Sequence, residues 1–317
     1  MCTAITFKSN DFYFGRNLDV EHSYNESVVV TPRNFQIKMR CVEPLKTHYA
    51  MIGVATVIDD YPLYFDATNE KGLSMAGLNF PGNADYKPVN ENSINITPFE
   101  FIPYILGKCK DLNEAREELR EINLVNISFS ENLPLSPLHW IIADKENAIT
   151  VESVKDGLKI YENTVGVLTN NPTFDFHITN LNNYMSLHEG RSENNLVKDI
   201  ELSNYSLGMG ALGLPGDFSS ASRFIKATFV KYNSISGETE KESVNQFFHI
   251  LDSVAMPKGC VLTDNGEYEY TIYSSCCNAD KGVYYYKNYN SFEIKSVNFN
   301  SHNLQDKKLL EFKIKYC

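Results

Sequence analysis

The sequence predicts an α+β fold whose core is a mostly antiparallel β-sheet. Along the 317 residues, the predicted elements come as strands, then helices, then strands, helices and strands again. A regular alternation of strand and helix would instead indicate a parallel, doubly wound sheet. The sequence also has no P-loop and no GxGxxG motif directly after a predicted strand. The grouping of the predicted strands and helices and the absence of these two motifs together favour the α+β class.

The first third of the chain predicts strands. Short apolar or alternating runs are separated by polar turns, and Asn-Glu-Lys-Gly at 69–72 is a turn signal inside the last run. The predicted strand segments lie at 2–9, 13–20, 27–35, 51–58 and 62–80.

Two helices are predicted next. Thr97, followed by Pro98 and Glu100, combines an N-cap, a proline at the first helical position and a capping-box glutamate, so a helix is predicted from Thr97 to Leu106. A second helix is predicted from Asp111, with apolar residues at helical spacing. These apolar residues are Leu112, Ala115, Leu119 and Ile122.

The remaining elements repeat the grouping. Strands are predicted at 138–144, 148–154, 158–163 and 165–171, helices at 176–187, 221–233 and 243–256, and closing strands at 268–277, 282–289 and 293–299. No internal repeat and no linker composition interrupts them. We therefore expect one domain over residues 1–317.

Composition limits the function. With 43% hydrophobic and 22% charged residues, the chain has the balance of a soluble globular protein, and its net charge of -11 argues against nucleic acid or an anionic membrane as partner. The start of the sequence lacks a secretory signal, so we expect a cytoplasmic protein. The odd count of seven cysteines fits a reducing compartment rather than a disulfide framework.

Cys2 directly follows the initiator methionine. Cysteine is small enough for the processing peptidase to remove Met1, which would leave a thiol and a free α-amine on one residue. The amine has an ordinary pKa of about 7.7–8.0 and the thiol about 8.5, so the amine can take the proton of the thiol near neutral pH. By position alone, a small apolar residue that starts a strand is the commoner interpretation.

Two charged residues interrupt the second predicted strand. If segments 2–9 and 13–20 pair as a hairpin, Arg16 and Asp19 lie across from Cys2. Arg16 would lower the pKa of the thiol, and Asp19 could hold the α-amine. A surface ion pair is the alternative, and it would contribute little.

Three more polar residues stand where catalysis can use them. Asn79 and Asn170 end predicted strands, where a side-chain amide can donate to an oxyanion, although turn formation is the commoner role of such asparagines. Arg223 lies near the start of a predicted helix, where the helix dipole disfavours a cation. A charged site nearby would explain it, and a solvated surface position is the alternative.

The histidines indicate neither a metal site nor a conventional Cys–His protease. The sequence has no HExxH motif, and no local signature supports Cys109 or Cys260 as a nucleophile. His139, next to Trp140 in a predicted strand, is interpreted as a buried residue with satisfied hydrogen bonds.

Together these segments resemble the choloylglycine hydrolase family. Six motifs occur in the family's order over essentially the full length: MCT, FGRNLD, NEKGLSMAGLNFPG, SPLHWIIAD, GVLTNNPTF and GLPGDFSSASRF. Penicillin V acylases, which belong to the same family, commonly carry an aromatic residue where this chain has Asn79. The resemblance is therefore closer to the bile salt hydrolases.

The resemblance implies an N-terminal-nucleophile fold, a four-layer αββα sandwich. It implies hydrolysis of glycine- or taurine-conjugated bile salts without metal or cofactor, in a cytoplasmic homotetramer. The catalytic positions it implies are Cys2, Arg16, Asp19, Asn79, Asn170 and Arg223. The apolar steroid would be bound by loops near 17–24, 58–62 and 129–138, and the contacts we expect are Leu18, Tyr24, Ile58 and Leu135.

Three alternatives stay open at this point. The chain could be a penicillin V acylase or another N-acyl amide acylase with the same mechanism. It could be a glutamine amidotransferase domain, which would need an ammonia-using domain that the sequence does not indicate. It could also be an inactive protein that binds steroids or acyl groups, in which the Cys2 amine and thiol have no role.

Overall fold

The computed structural model describes residues 1–315 and contains two large antiparallel sheets. The first sheet has the strand order β12-β1-β2-β14-β15-β16, with β13 paired to β14. Its strands are β1 (Cys2–Lys8), β2 (Phe12–Val20), β12 (Val167–Leu168), β13 (Val261–Leu262), β14 (Tyr268–Asn278), β15 (Val283–Asn288) and β16 (Ser291–Asn298). The amino-terminal hairpin therefore lies inside this sheet.

The second sheet has the order β11-β10-β9-β6-β5-β4-β3-β17. Its strands are β3 (Ser27–Thr31), β4 (Met51–Ile58), β5 (Tyr61–Asn69), β6 (Ser74–Asn79), β9 (Leu138–Ala143), β10 (Ala148–Val154), β11 (Gly157–Glu162) and β17 (Leu310–Lys313). A separate parallel pair joins β7 (Ile94–Ile96) to β8 (Ile122–Leu124).

Helices cover the outer face of each sheet. The helices are α1 (Phe101–Lys108), α2 (Leu112–Leu119), α3 (Phe174–Asn180), α4 (Ser220–Asn233) and α5 (Glu240–Asp252). Helices α4 and α5 pack on β1, β2, β12 and β14 of the first sheet, and α1 packs on β4, β5 and β6 of the second. Strand β1 of the first sheet faces β6 of the second. The layers therefore follow the order helix, sheet, sheet, helix, which confirms the predicted αββα sandwich.

Successive side chains along the central strands of the second sheet point alternately into two hydrophobic cores. In β6, Ala76 and Leu78 enter the core between the sheets, whereas Met75 faces the core under α1. In β9, Ile141 and Trp140 divide in the same way. Central strands with both faces buried read as continuous apolar runs, which is how the sequence shows them.

Gly15 brings the hairpin close to its neighbour in the first sheet. A Cβ at Gly15 would lie 2.0 Å from the backbone oxygen of Ser275 on β14. Only glycine permits this approach, which places the next residue, Arg16, at a fixed point of the sheet.

Three details of the predicted helices were wrong. The first helix begins at Phe101 rather than Thr97, because residues 97–100 form a turn and the helix has no side-chain cap. Ile122 lies in β8 rather than in the second helix, because it pairs with Ile94 in the parallel ladder. The helix predicted over 176–187 is α3 followed by a 3-10 turn at Leu181–Tyr184.

Within residues 1–315, no helix combines the length and the apolar character that crossing a membrane requires.

Candidate active site

Cys2 is the first residue of β1, and 2% of its surface is exposed. In the β1–β2 ladder it lies opposite Leu18, and Ala4 lies opposite Arg16. Opposite residues of an antiparallel pair point to the same face, so the Cys2 thiol, Leu18 and Arg16 share one face of the sheet. The predicted hairpin is confirmed, with Arg16 diagonal to the thiol.

Arg16 identifies that face as the one between the sheets. Its side chain is fully buried, and Nη1 donates to the backbone oxygens of Phe65 (2.9 Å) and Gly77 (2.5 Å) on β5 and β6 of the second sheet. Within the described chain, Nη2 has no hydrogen-bond partner. Nε also donates to the backbone oxygen of Asn17 over a long 3.4 Å, so Arg16 is held by three carbonyl groups, with Nη2 free for a further acceptor.

The backbone nitrogen of Cys2 is held by Asn170. It donates to Oδ1 of Asn170 over 2.8 Å, and Nδ2 of Asn170 donates to the backbone oxygen of Asn79 over 2.7 Å. The backbone nitrogen of Asn170 donates to Oγ of Ser220 at the start of α4. The amide of Asn170 therefore joins the start of β1 to the end of β6, across the two sheets.

Asn79 ends β6 and is half-buried. Its backbone oxygen is the acceptor for Asn170, whereas its side-chain amide makes no hydrogen bond to residues 1–315. The Asn79 amide is therefore available to donate to a bound molecule.

Arg223 sits in the first turn of α4, 1% exposed, and reaches the same cluster. Nη1 donates to the backbone oxygen of Cys2 (2.5 Å) and to Oγ1 of Thr3 (2.7 Å), and Nη2 donates to Oδ1 of Asn170 (2.7 Å). The unexpected cation near a helix start is therefore explained by four acceptors, the fourth being the backbone oxygen of Phe218.

The charges of the two arginines respond differently to their surroundings. Burial disfavours the charge of both. The pKa of Arg16 is nevertheless raised above its ordinary value, because nearby groups that are anionic when ionised favour its charge, namely Cys2, Tyr273, Asp66 and Asp19. The pKa of Arg223 is lowered by burial, although Asp19, Cys2 and Glu269 oppose this.

Met1 extends β1 by one residue in this structure. Its ammonium group donates to the backbone oxygen of Asp19 and lies 2.9 Å from Oε1 of Glu269, and its carbonyl accepts from the backbone nitrogen of Asp19. With Met1 attached, the nitrogen of Cys2 is an amide and donates to Asn170, not to the Asp19 carboxylate.

The Asp19 carboxylate is fully buried. Oδ1 accepts from Oγ1 of Thr271 over 2.6 Å, and Oδ2 has no partner among residues 1–315. Burial raises the pKa of Asp19, against the influence of Arg223, the chain terminus, Thr271 and Arg16. One carboxylate oxygen is thus left to accept a bond.

The residues predicted to bind substrate fall into two groups. Leu18 lies directly opposite Cys2, and Tyr24, 41% exposed, has its ring 6.0 Å from that of Phe65, the residue whose carbonyl accepts from Arg16. Ile58 and Leu135 lie farther out, at the end of β4 and in the loop before β9.

The loop of Leu135 leads to the polar cluster. Its last residue, Pro137, accepts a hydrogen bond from the nitrogen of Phe80, and Leu138 lies opposite Asn79 in the β6–β9 ladder. The ring of Phe129 in this loop lies 5.7 Å from Tyr61 of the β4–β5 hairpin, which carries Ile58. The two outer loops are therefore neighbours.

Sequence reasoning missed a buried carboxylate behind Arg16. Asp66 of β5 is 1% exposed and accepts hydrogen bonds from the hydroxyls of Tyr273 (2.8 Å) and Tyr284. The criterion that singled out Arg16 and Asp19, a charge inside an apolar strand, also applies to YFDAT at 64–68.

His139 is buried as predicted, between Oε1 of Glu152 (3.1 Å) and the backbone oxygen of Thr169 (3.0 Å), with Phe80 stacked on its ring. Among residues 1–315, all six cysteines are free thiols, and no group of three or more His, Cys, Asp or Glu side chains is placed to hold a metal ion. Cys317 lies outside the described residues.

Comparison with known proteins shows the family of this chain. The profile described as "Linear amide C-N hydrolases, choloylglycine hydrolase family" matches residues 2–312. The chain is 55% identical over 316 residues to a bile salt hydrolase/transferase of Lactiplantibacillus plantarum, covering 99% of this chain and 97% of the relative. The chain therefore belongs to the choloylglycine hydrolase family, and it is an amidohydrolase that acts on linear amides.

Solved structures support the same assignment. The crystal structure of the C2A mutant of conjugated bile acid hydrolase from Clostridium perfringens superposes with a TM-score of 0.92 at 38% identity, over 99% of this chain and 97% of that one. Penicillin V acylase from Agrobacterium tumefaciens matches with a TM-score of 0.78 at 16% identity, over 98% and 90% of the two chains. The second match shows a shared fold alone.

Proposed function

We propose that this enzyme hydrolyses the amide bond of glycine- or taurine-conjugated bile salts, with Cys2 as the nucleophile after removal of Met1. The observation that carries the proposal is the placement of Cys2. Its nitrogen is bonded to Asn170, and its thiol is on the face of β1 that carries Arg16. The 55% identity with a bile salt hydrolase/transferase supports the substrate class.

In the first half of the reaction, the free α-amine of Cys2 takes the proton of its own thiol, directly or through a water. The sulfur attacks the amide carbonyl and forms a tetrahedral oxyanion. The α-ammonium then protonates the departing nitrogen as the carbon–nitrogen bond breaks, which releases glycine or taurine. The acyl group remains on Cys2 as a thioester.

In the second half, water resolves the thioester. The neutral α-amine takes a proton from the water as its oxygen attacks the carbonyl, and the carbon–sulfur bond breaks. The sulfur leaves as a thiolate and regains a proton from the α-ammonium, while the free bile acid departs.

The oxyanion is stabilised by amide donors in this proposal. The unbonded side-chain amide of Asn79 donates one hydrogen bond, and the Nδ2 hydrogen of Asn170 not used by Asn79 donates another. Loss of one such donor typically costs 10²–10³ in kcat.

The three charged residues act around Cys2. Arg16 stabilises the thiolate on the face between the sheets. The free carboxylate oxygen of Asp19 is proposed to accept from the α-ammonium once Met1 is gone. Arg223 fixes the carbonyl of Cys2 and the Asn170 amide, so that the nucleophile and an oxyanion donor keep their relative positions.

The steroid is proposed to bind along an apolar surface that starts at Leu18 and continues over Tyr24, Ile58 and Leu135. Burial of apolar area contributes roughly 25 cal/mol per Å². The exposed Tyr24 ring and the two neighbouring outer loops are available for such contact.

We further propose one domain over residues 1–317, assembled as a cytoplasmic homotetramer without cofactor, metal or nucleic acid. Free thiols fit a reducing compartment. Leu196, Tyr205 and Leu207 are 85%, 83% and 81% exposed in one segment, and such apolar surface is typical of interfaces. Sedimentation of the wild type and of Leu207→Ser tests the assembly, since a tetramer interface there predicts a smaller species for the variant.

The decisive assay compares turnover of glycocholate, taurocholate and penicillin V by one preparation. The proposal expects the two bile salts to be hydrolysed with the higher kcat/KM, and better turnover of penicillin V would favour an acylase instead. Cys2→Ala should bind glycocholate without hydrolysing it. Detectable hydrolysis by this variant would contradict the covalent mechanism, and no turnover by the wild type would favour a binding protein.

A further inference from the structure

We propose that Asp66 is a positioning residue for the nucleophile. Its carboxylate partly balances the charge of Arg16 and thereby sets the pH at which the Cys2 thiol ionises. This inference rests on the proposed role of Cys2.

The Asp66 side chain links the two sheets. It lies on β5 of the second sheet, yet its hydrogen-bond partners come from the first. Oδ1 accepts from the Tyr273 hydroxyl over 2.8 Å, and Oδ2 accepts from the Tyr284 hydroxyl and, over a long 3.4 Å, from Ser275. Hydroxyl groups that donate to a carboxylate favour its ionised form.

The strand register puts this carboxylate next to the catalytic row. Cys2 lies opposite Leu18 on β2, and Leu18 lies opposite Tyr273 on β14. The three side chains therefore form a row across one face of the sheet, and Asp66 bonds to its last member. Asp66 thus lies two strands from the thiol, on the same side of the sheet.

Arg16 connects the carboxylate and the thiol. Its Nη1 donates to the carbonyl of Phe65, the residue before Asp66, and Arg16 is diagonal to Cys2 on its own sheet. Both Cys2 and Asp66 are among the groups that favour its charge. The Arg16 guanidinium therefore interacts with groups of both sheets, among them Cys2 of the first and Asp66 of the second.

The other charged and titratable groups around this cluster are few. Those that interact with Asp66 are Arg16, Tyr273, Tyr284 and Cys277, and those that interact with Cys2 are Arg16, Arg223 and Tyr24. Burial raises the pKa of Asp66, whereas Arg16 and the bonded hydroxyls lower it. Arg16 interacts with both Cys2 and Asp66.

The direction of the effect follows from the charges. With Asp66 ionised, its negative charge counteracts part of the attraction that Arg16 exerts on the thiolate. Without the carboxylate, the full positive charge of Arg16 acts on the thiol. The pKa of the thiol must then fall, and a thiolate of lower pKa is a weaker nucleophile.

The test is Asp66→Asn, which keeps the shape of the side chain and an oxygen that accepts from Tyr273. The measurement is the rate of iodoacetamide alkylation of Cys2 against pH. It is read from the mass of the amino-terminal peptide, because the exposed thiols of Cys41 and Cys260 react with the reagent as well. We expect the midpoint to fall by roughly one pH unit. The alkylation rate at high pH, where the thiol is fully ionised, should fall about threefold. The reason is that the logarithm of thiolate reactivity changes by about 0.4–0.5 for each unit of thiol pKa.

Two further variants keep the test decisive. Asp11→Asn removes an equal charge that pairs with Lys281 at the far end of the hairpin, roughly 20 Å along the strands, and should leave the midpoint unchanged. Asp66→Ser also removes the carboxylate but keeps a hydroxyl oxygen as an acceptor, and should move the midpoint in the same direction. If Asp66→Asn fails to fold, this variant decides alone.

An unchanged or higher midpoint in Asp66→Asn, or in Asp66→Ser where it decides alone, would overturn the proposal. A merely structural role of Asp66 would lower the melting temperature without moving the midpoint. Alkylation does not use a bile salt, so this proposal and the proposed substrate can fail independently of each other.

Discussion

The backbone nitrogen of Cys2 and the side-chain oxygen of Asn170 form a 2.8 Å hydrogen bond that joins residues 168 positions apart. The same oxygen accepts from Arg223, and the same amide donates to the carbonyl of Asn79. One buried amide therefore fixes the nitrogen that is proposed to act as the base relative to the strand end that is proposed to hold the oxyanion. Loss of the Asn170 amide should therefore disturb both the Cys2 nitrogen and the strand end at Asn79.

Asn170→Ala is expected to lower kcat by at least about 10²-fold, because an oxyanion donor and the anchor of the Cys2 nitrogen are both lost. It should also lower the melting temperature, since Arg223 loses a buried acceptor. Steady-state kinetics on taurocholate and thermal unfolding measure the two effects. Asn171→Ala is the matched neighbour, because within residues 1–315 the Asn171 side chain bonds at the surface alone, to the carbonyl of Pro81. Equal kinetics for both variants would contradict the role of Asn170.

Asn79→Ala separates catalysis from structure. The carbonyl of Asn79 that Asn170 uses is part of the backbone and remains in the variant, while the unbonded side-chain amide is removed. We expect kcat to fall about 10²–10³-fold, with KM and melting temperature nearly unchanged. A fall in stability similar to that of Asn170→Ala, with kcat intact, would assign the side chain a structural role instead.

Arg223→Ala should be strongly destabilising. Removal of the guanidinium leaves the buried carbonyl of Cys2 and the hydroxyl of Thr3 without their donor, at about 1–3 kcal/mol for each unsatisfied group. Urea unfolding measures the loss. Arg120→Ala provides the control, because Arg120 and its partner Glu117 are both 67% exposed, and such pairs contribute little. Similar losses for the two variants would contradict the proposed network.

His177 predicts an acid-sensitive step in stability. Its Nε2 bonds to the carbonyl of Asn170 at 2.8 Å, and burial lowers the pKa of His177 from 6.5 to about 4. Because the folded state lowers the pKa of His177, it favours the neutral imidazole. The contribution of neutral His177 to the stability of the fold is therefore fully present above pH 6.5 and is lost as the pH falls from 6.5 towards 4. The difference between the ordinary pKa of 6.5 and the folded-state pKa of about 4 corresponds to about 3 kcal/mol in the free energy of unfolding.

The variant His177→Gln stays neutral and keeps a donor for Asn170. Urea unfolding of both proteins at pH 7 and pH 4.5 compares them, so that other titrating groups cancel. The wild type should lose more stability between these values than the variant does. Parallel losses would show that His177 does not titrate as its burial requires.

Strands and most helices were predictable because their signals are local. Apolar runs gave β1 to β6, and the helical pattern at 221–233 gave α4 within one residue. The errors arose where distant pairing decides. Ile122 continues the apolar spacing of α2, yet it pairs with Ile94, which lies 28 positions earlier. The charged segment Leu310–Lys313 joins the second sheet through β3, which its own composition does not indicate.

The candidate site was predictable in part. The sequence and its family motifs single out Cys2, Asn170 and Arg223, and the structure joins all three through hydrogen bonds. Asp66 was missed because its partners, Tyr273 and Tyr284, follow more than 200 residues later in the chain and lie on the opposite sheet. A sequence pattern shows a charge in a strand, but only the fold shows what that charge meets.

The role of the Cys2 α-amine as base is tested by assaying one preparation with and without a free amine on Cys2. The chain is produced with a protease site directly before Cys2, and taurine release from taurocholate is measured before and after cleavage, with intact mass confirming each form. We expect no turnover before cleavage and full turnover after it. Equal turnover in both states would show that the α-amine of Cys2 is not the base.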